Sequence, residues 1–220
     1  PFNGNAKDES GNGNDGEVKG SALAADRHGE DGKAYSFDGQ DDYILVPDSD
    51  SLDFGTGVDG WTISCWVNHR GPNRTKRLGG LIIAKHNRDG SPGVDYNLYR
   101  MRGKSGTIYR MGISTSNGRN GGWADSPLPE GMNDEGWCHI VATVEMTGKI
   151  KHLFINGKKF HSLKFGRKNP AHDGVLRIGR GFHSSGRFLW NGLIDDVRIY
   201  NRALSEEQVK TLYDLEKPKE

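Results

Sequence analysis

The stretch GLIDDVRIYNRALSEEQVKTLY, residues 192–213, contains both kinds of secondary structure that we predict for this chain. Its first half, GLIDDVRIYN, is rich in β-branched residues and shows the alternation of a strand. Ser205 then begins SEEQVKTLY as a helix N-cap, with Gln208 placed to complete a capping box. Glu206 and Glu207 suit the N-terminal end of the helix dipole. We therefore predict a late strand followed by one short helix.

The rest of the chain repeats the strand pattern of that first half. Gly, Asn, Pro and Asp separate the repeats, and Asn156-Gly157 is a strong hairpin sequence. The nine further predicted strands are AYSFDG, DYILVP, WTISCWVN, GGLIIAKH, YNLYRM, TIYRMGIS, WCHIVATVE, KHLFING and GVLRIGR. About ten strands and one helix predict an all-β sandwich of two antiparallel sheets with one short C-terminal helix.

Length and composition favour a single domain at residues 1–215, with residues 216–220 as the start of a linker or tail. The 32 glycines are dispersed between short apolar runs, which is typical of many tight turns. The longest apolar runs, such as LIIA at 81–84, are far shorter than the roughly 20 residues of a membrane span. We therefore expect a soluble chain without membrane insertion. Because it begins at Pro1 rather than Met, we expect a processed or excised piece of a larger protein.

The net charge of +1 conceals a strong asymmetry. Residues 1–60 carry −10, residues 61–194 carry +13 and residues 195–220 carry −2. A basic middle can attract an anionic partner, or it can balance the acidic N-terminal part in space. The two cysteines, Cys65 and Cys138, lie in apolar predicted strands, so we expect buried free thiols rather than a disulfide framework.

The first residues, PFNGNAKDESGNGNDG, allow two interpretations. Their oxygen-bearing side chains have the spacing of the first half of an EF-hand loop, but Lys19 stands where the closing Glu would be. A Gly- and Asn-rich surface turn is the better interpretation.

Several of these stretches together resemble a known family. YSFDGQDDYILVP, WTISCWV, LRIGR and above all residues 192–213 are similar to the laminin G-like jelly rolls of the concanavalin A-like lectin and glucanase superfamily, in particular the bacterial modules. The resemblance covers essentially the whole chain and implies a jelly roll with one concave sheet. It also implies a structural Ca²⁺ ion, as in calcium-bearing glucanases, held by backbone carbonyls at Pro1 with Asn3 and at Gly39 and by the carboxylate of Asp195. Asp195 capping a strand end is the alternative.

Catalysis is not expected. The glucanase relatives carry E-x-D-x-x-E on one strand, and no Glu in this chain has an Asp two residues later. Binding remains, and its usual chemistry is an aromatic side chain with polar neighbours. Trp123, in the polar loop SNGRNGGWADS, is the strongest candidate. The other predicted contacts are Arg102, Arg119, Tyr99, Tyr109, Phe182 and Trp190, although core packing is the alternative for the aromatic ones.

We therefore predict a non-catalytic, secreted bacterial recognition module at the cell surface or outside the cell, one part of a larger protein with neighbouring domains. Its expected partner is a glycan, and the basic middle would suit an acidic polysaccharide. We expect no nucleic-acid partner. The alternatives are an adhesion or protein-interaction module and, third, a glycoside hydrolase.

Overall fold

The computed structural model describes residues 1–54, 57–70, 80–87, 94–103, 106–113, 124–127, 136–165, 174–181 and 188–219. Fourteen strands in these residues form two antiparallel sheets of seven strands each. Sheet A has the order β1-β4-β13-β6-β7-β8-β9, and sheet B has the order β12-β11-β10-β5-β14-β3-β2. The two sheets make a β-sandwich jelly roll.

The strand bounds are as follows: β1 Glu17–Lys19, β2 Ala22–Ala24, β3 Ala34–Asp38, β4 Tyr43–Val46, β5 Gly60–His69, β6 Leu81–Asn87, β7 Val94–Gly103, β8 Gly106–Ile113, β9 Ala124–Pro127, β10 Trp137–Glu145, β11 Ile150–Ile155, β12 Lys158–Lys164, β13 Gly174–Ile178 and β14 Asn191–Tyr200. A 3-10 turn spans Asp50–Leu52, and helix α1 spans Glu206–Glu216.

The core lies between the inner faces of the sheets. Alternation along β5 directs Trp61, Ile63 and Cys65 into it, and Ile44 on β4 faces them from sheet A. Successive side chains point to opposite faces, so the outer face of sheet A carries Tyr43 and Leu45 on β4 and Arg177 on β13.

Helix α1 covers the outer face of sheet B. Val209 is fully buried there against Val141 and Phe154. Ser205 accepts a hydrogen bond from the backbone of Gln208, and the Gln208 side chain accepts one from the backbone of Ser205. The predicted capping box is therefore confirmed. The helix reaches Glu216, one residue beyond the predicted domain end.

All ten predicted strands are present, and the structure adds β1, β2, β9 and β12. The Asn156-Gly157 hairpin joins β11 to β12, with φ values of 48° and 74°. Cys65 and Cys138 are both buried and form no disulfide with each other, as predicted. None of the helical segments in the described chain is long and apolar enough to cross a membrane.

Candidate functional site

The outer face of sheet A is buried on its central strands and partly exposed to solvent on the strands toward one edge. On the central strands β6 and β7, Ala84, His86 and Asn97 are buried. On β4 and β13, by contrast, Tyr43 and Arg177 are half-buried. The accessible part of this face in the described residues is therefore the edge formed by β4 and β13 together with β1, whose Glu17 is exposed.

Two arginines and one tyrosine meet on this open part. Arg177 lies opposite Leu45 of β4, and β13 ends one residue later at Ile178. Arg180 follows, and its guanidinium carbon stands 4.9 Å from the centre of the Tyr43 ring. We call Tyr43, Arg177 and Arg180 the arginine patch. It combines an aromatic ring, which can pack against a sugar, with several hydrogen-bond donors.

Burial and the charge of Arg180 lower the pKa of the Arg177 guanidinium. Neither arginine makes an ion pair with a carboxylate in the described part of the chain. The residues aligned with Arg177 across the sheet are Leu45 and Ala84, which are apolar. Two neighbouring positive charges therefore stand without a protein counter-charge among the described residues.

Two of the sequence-predicted contacts have their side chains described, and both are buried. Tyr99 is 7% exposed and packs against Leu81, Ala84 and Phe188. Trp190 is fully buried in the core, and its Nε1 donates to the backbone oxygen of Leu193 at 3.2 Å. Both rings are therefore core side chains in this structure. Tyr99 lies where the outer face of sheet A is covered, and Trp190 belongs to the main core between the sheets.

The other predicted contacts remain predictions. Arg102 on β7 aligns with Thr107, and Tyr109 on β8 aligns with Arg100, so both belong to sheet A, but their side chains lie outside the described residues. Trp123, Arg119 and Phe182 also lie outside the described residues.

The fold and the sequence together decide the family. The family model Laminin_G_3, described as concanavalin A-like lectin/glucanases superfamily, matches residues 38–210. The chain belongs to this superfamily. The match includes β4 to β14 and all three residues of the arginine patch.

Solved structures with this concanavalin A-like fold include proteins with a range of ligands. Domain 4 of AbnA, an extracellular arabinanase from Geobacillus stearothermophilus in complex with arabinotriose, is 21% identical, with a TM-score of 0.64 over 95% of this chain and 93% of that chain. The binding domain of Paraclostridial Mosquitocidal Protein 1 is 25% identical, with a TM-score of 0.60, 95% of this chain and 49% of that one. The serotype D botulinum neurotoxin ligand-binding domain, in complex with N-acetylneuraminic acid, is 16% identical, with a TM-score of 0.70, 96% of this chain and 48% of that one. This chain thus spans about half of each toxin domain.

A second set of charged residues in this concanavalin A-like chain lies under α1. Asp195 and Asp196 occupy an irregular part of β14, where the pairing with β5 shifts, and Asp196 has a φ of 47°. Arg27 Nη1 lies 2.7 Å from Asp195 Oδ2, and Arg27 Nη2 lies 2.6 Å from Asp196 Oδ2. Arg198 pairs with Asp196 and with Glu216 at the end of α1. We call these five residues the Arg27 cluster.

The Arg27 cluster links the end of helix α1 to sheet B. Arg27 Nε donates to the backbone oxygen of Glu216 at 2.6 Å, and Trp66 Nε1 donates to the Glu216 carboxylate at 2.8 Å. Arg198 and Arg27 lower the pKa of Asp196, whereas burial and the charge of Asp196 raise that of Asp195. Two buried carboxylates are thus held by two arginines, which is how proteins accommodate buried charge.

The predicted calcium ligands of the superfamily do not converge. Asp195 is 2% exposed, and its two oxygens accept hydrogen bonds from Arg27 and from the backbone of Asp196. The guanidinium of Arg27 places a positive charge where the cation would bind. The backbone carbonyl of Asn3 accepts a hydrogen bond from the Asn5 side chain at 3.4 Å. The Asp195 carboxylate, the one side-chain ligand predicted, therefore already pairs with a cationic group.

The predicted backbone ligands lie in two separate places. Pro1 does lie near the cluster, with its nitrogen 3.6 Å from Asp196 Oδ1. Gly39 instead lies beside Asn191, four residues before Asp195 on β14, or roughly 13 Å along the strand. Pro1, Asn3, Gly39 and Asp195 thus do not fit one calcium ion in this arrangement, and the calcium ion itself stays a prediction. Asp38, Asp41 and Asp42 come within 4.8 Å of one another beside Gly39, but exposed acidic groups alone do not make a site.

The N-terminal segment forms a turn rather than an EF-hand. Residues 1–16 contain no helix, and the Asp8 carboxylate accepts from the backbone of Ser10 and Asn14. This segment covers a cavity of about 450 Å³ at the edge of the sandwich, where Ile44, Leu176 and Val197 reach it from between the sheets. Exposed residues such as Lys7 and Ser10 line its other side, so the cavity opens to solvent. Because Ile44 and Leu176 point into it from the inner face of sheet A, it is separate from the arginine patch on the outer face.

Sequence reasoning did not identify the arginine patch or Arg27. The strand alternation already places Tyr43 and Arg177 on the faces opposite Ile44 and Ile178. What the sequence does not show is that β4 and β13, more than 120 residues apart, are neighbours. Arg27 lies outside every predicted strand and meets Asp195 across 168 positions.

Proposed function

We propose that this chain is a non-catalytic carbohydrate-binding module, and that the glycan binds on the outer face of sheet A at the arginine patch. The observation that carries the proposal is the half-buried Tyr43 ring beside two arginines that lack a described counter-charge. Sugar sites combine an aromatic surface with a few fixed polar groups, and the patch offers both.

The comparisons support this proposal without locating a site. One structure of similar fold is a domain in complex with arabinotriose, and another is a toxin domain in complex with N-acetylneuraminic acid. These ligands belong to those proteins. Since a fold alone does not determine function, the proposal for this chain depends on the arginine patch.

The same comparisons bear on the role of this chain within a larger protein. The arabinanase domain is part of an extracellular enzyme, and the toxin structures are described as binding domains. We propose that this chain likewise acts outside the cell as one module of a larger protein, and that it directs that protein to a glycan-bearing surface.

A polysaccharide and glycan array tests the proposal. We expect the wild-type chain to bind at least one glycan class, and Tyr43→Ala to weaken that binding about tenfold because the ring surface is lost. Trp123→Ala is measured in parallel, since Trp123 stays a predicted contact. Arg202→Ala is the matched control, because Arg202 is exposed beside the N-terminus of α1 and contacts Gln208.

Three results would oppose the proposal. Binding that Tyr43→Ala leaves unchanged, in a variant that melts like the wild type, would remove the glycan from sheet A. The absence of any glycan ligand, together with capture of a defined protein, would favour the adhesion or protein-interaction alternative. Turnover of a bound glycan would show a hydrolase.

A further inference from the structure

The arginine patch has an excess of positive charge that the described protein does not neutralise. Arg177 is half-buried between Leu45 and Ala84, and Arg180 lies close enough to lower its pKa. The acid in the same row across the sheet is Glu17, which aligns with Leu45 and pairs with Lys19. Glu17 is thus two strands from Arg177, or roughly 10 Å.

The position of Arg180 is fixed by its backbone. Gly179 donates to the backbone oxygen of Ile82 at 2.9 Å, and Gly181 donates to that of Phe188 at 3.0 Å. Gly179 has a φ of 85°, and a Cβ there would collide with the Phe37 ring. The turn is therefore closely packed, and Arg180 projects from it over Tyr43. The contact of its guanidinium with the Tyr43 ring restrains the side chain further, so Arg180 loses less freedom on binding a ligand than a free arginine side chain would.

Half-buried guanidinium groups are stabilised by an anion, and Arg is suited to a planar or tetrahedral oxyanion because its donors form a fork. We propose that Arg177 and Arg180 form an anion subsite that takes a carboxylate or sulfate group of an acidic glycan, with the sugar ring next to Tyr43. This inference rests on the proposed glycan-binding function of the same face. It differs from the acidic-ligand prediction at Arg102 and Arg119, which lies outside the described side chains.

The experiment compares polysaccharides that differ only in charge. The pairs are dextran sulfate against dextran, and polygalacturonate against its fully methyl-esterified form, titrated by calorimetry at low and high salt. We expect the wild type to bind the acidic member of at least one pair about tenfold more tightly at low salt. The sulfate pair and the uronate pair distinguish the two sources of the anion.

Variants then locate the charge effect. Arg177→Gln and Arg180→Gln should each lower affinity for the acidic member about tenfold and leave any binding of the neutral member unchanged. Arg202→Gln removes the same charge at a distant exposed position, and it should leave both affinities unchanged apart from a small salt-dependent effect. Melting curves confirm that each variant is folded.

Each outcome bears on one proposal or on both. If Arg202→Gln weakens acidic binding as much as Arg177→Gln does, the attraction is general and the subsite is wrong. If acidic and neutral members bind equally and Tyr43→Ala abolishes both, glycan binding on sheet A stands while the subsite is wrong. If the wild type binds none of the four polysaccharides, or binds single-stranded DNA more tightly than either acidic polymer, the subsite is wrong. If the glycan array also finds no ligand, both proposals are wrong.

Discussion

At the scale of single residues, Gly192 shows how closely the backbone of β14 approaches its neighbour. Gly192 has a φ of 139°, and a Cβ there would collide with the backbone oxygen of Asn68 on β5. We expect Gly192→Ala to lower the free energy of unfolding by about 3 kcal/mol or more, since backbone strain and overpacking add.

Gly29→Ala is the matched control for Gly192→Ala. Gly29 has a φ of 82°, but a Cβ there would meet nothing within 4 Å. Gly29→Ala should therefore lower the free energy of unfolding only by the strain of the left-handed conformation, about 1 kcal/mol. Urea unfolding of both variants measures the difference, and equal losses would show that the close approach at Gly192 relaxes easily.

His139 is a buried histidine that should make stability depend on pH. Its ring packs beside the rings of Trp66 and Tyr213, with centroids 5.0 and 6.0 Å away, and Nε2 lies 2.8 Å from Ser64 Oγ. Burial and the nearby charges of Arg198 and Arg27 lower its pKa to about 3. The unfolded chain therefore takes up a proton near pH 6.5 while the folded chain does not, so acidification below about pH 6.5 destabilises the fold.

The expected size of the His139 effect is about 1.4 kcal/mol lost between pH 8 and pH 5.5, because one pH unit separates 5.5 from the unfolded pKa. Asp195, whose pKa is raised, acts in the opposite direction in this range. His139→Gln isolates the histidine contribution: its unfolding free energy should lose about 1.4 kcal/mol less than that of the wild type. Identical losses in the two proteins would mean that His139 takes up its proton at the same pH in the folded and the unfolded chain.

At the scale of elements, helix α1 depends on its N-terminal cap. Ser205→Ala removes the acceptor for the backbone of Gln208 and should cost about 1 kcal/mol. Ser205→Asp keeps an acceptor at the same position and should retain most of the stability. Thermal unfolding compares the two, and equal losses would show that contacts such as Val209 against Val141 determine the helix by themselves.

The elements also show what the sequence can predict. Helix α1 and the long strands were predictable because their apolar periodicity and turn residues are local. The strands β1 and β2 have three residues each, too few for an alternation to be recognised. In β12, KKFHSLK, polar side chains predominate because the strand lies at the edge of sheet B and is mostly exposed. Only the Asn156-Gly157 hairpin pointed to it.

At the scale of the whole molecule, the two candidate sites depend on contacts between distant parts of the chain. The arginine patch needs β4 beside β13, and the Arg27 cluster needs the loop after β2 beside β14 and the end of α1. Local patterns do not contain such pairings. The charge asymmetry along the chain is only a general indication of them. Acidic segments lie at both ends of the chain, yet Asp195 and Asp196 are neutralised by Arg27 from the acidic first sixty residues.

The Arg27 cluster leads to a specific expectation about calcium. Because Arg27 occupies the Asp195 carboxylate, Asp195→Asn should lower the melting temperature by breaking a buried ion pair. The melting-temperature difference between excess calcium and chelator should be the same in Asp195→Asn as in the wild type. An ion that binds only the folded chain changes stability through its own ligands, and Asp195 would not be one of them. Asp41→Asn is the control, because Asp41 is exposed and lies in the acidic group beside Gly39. A calcium-dependent melt in the wild type that disappears in Asp195→Asn but persists in Asp41→Asn would place the ion at Asp195. Arg27 would then have to move away when the ion binds.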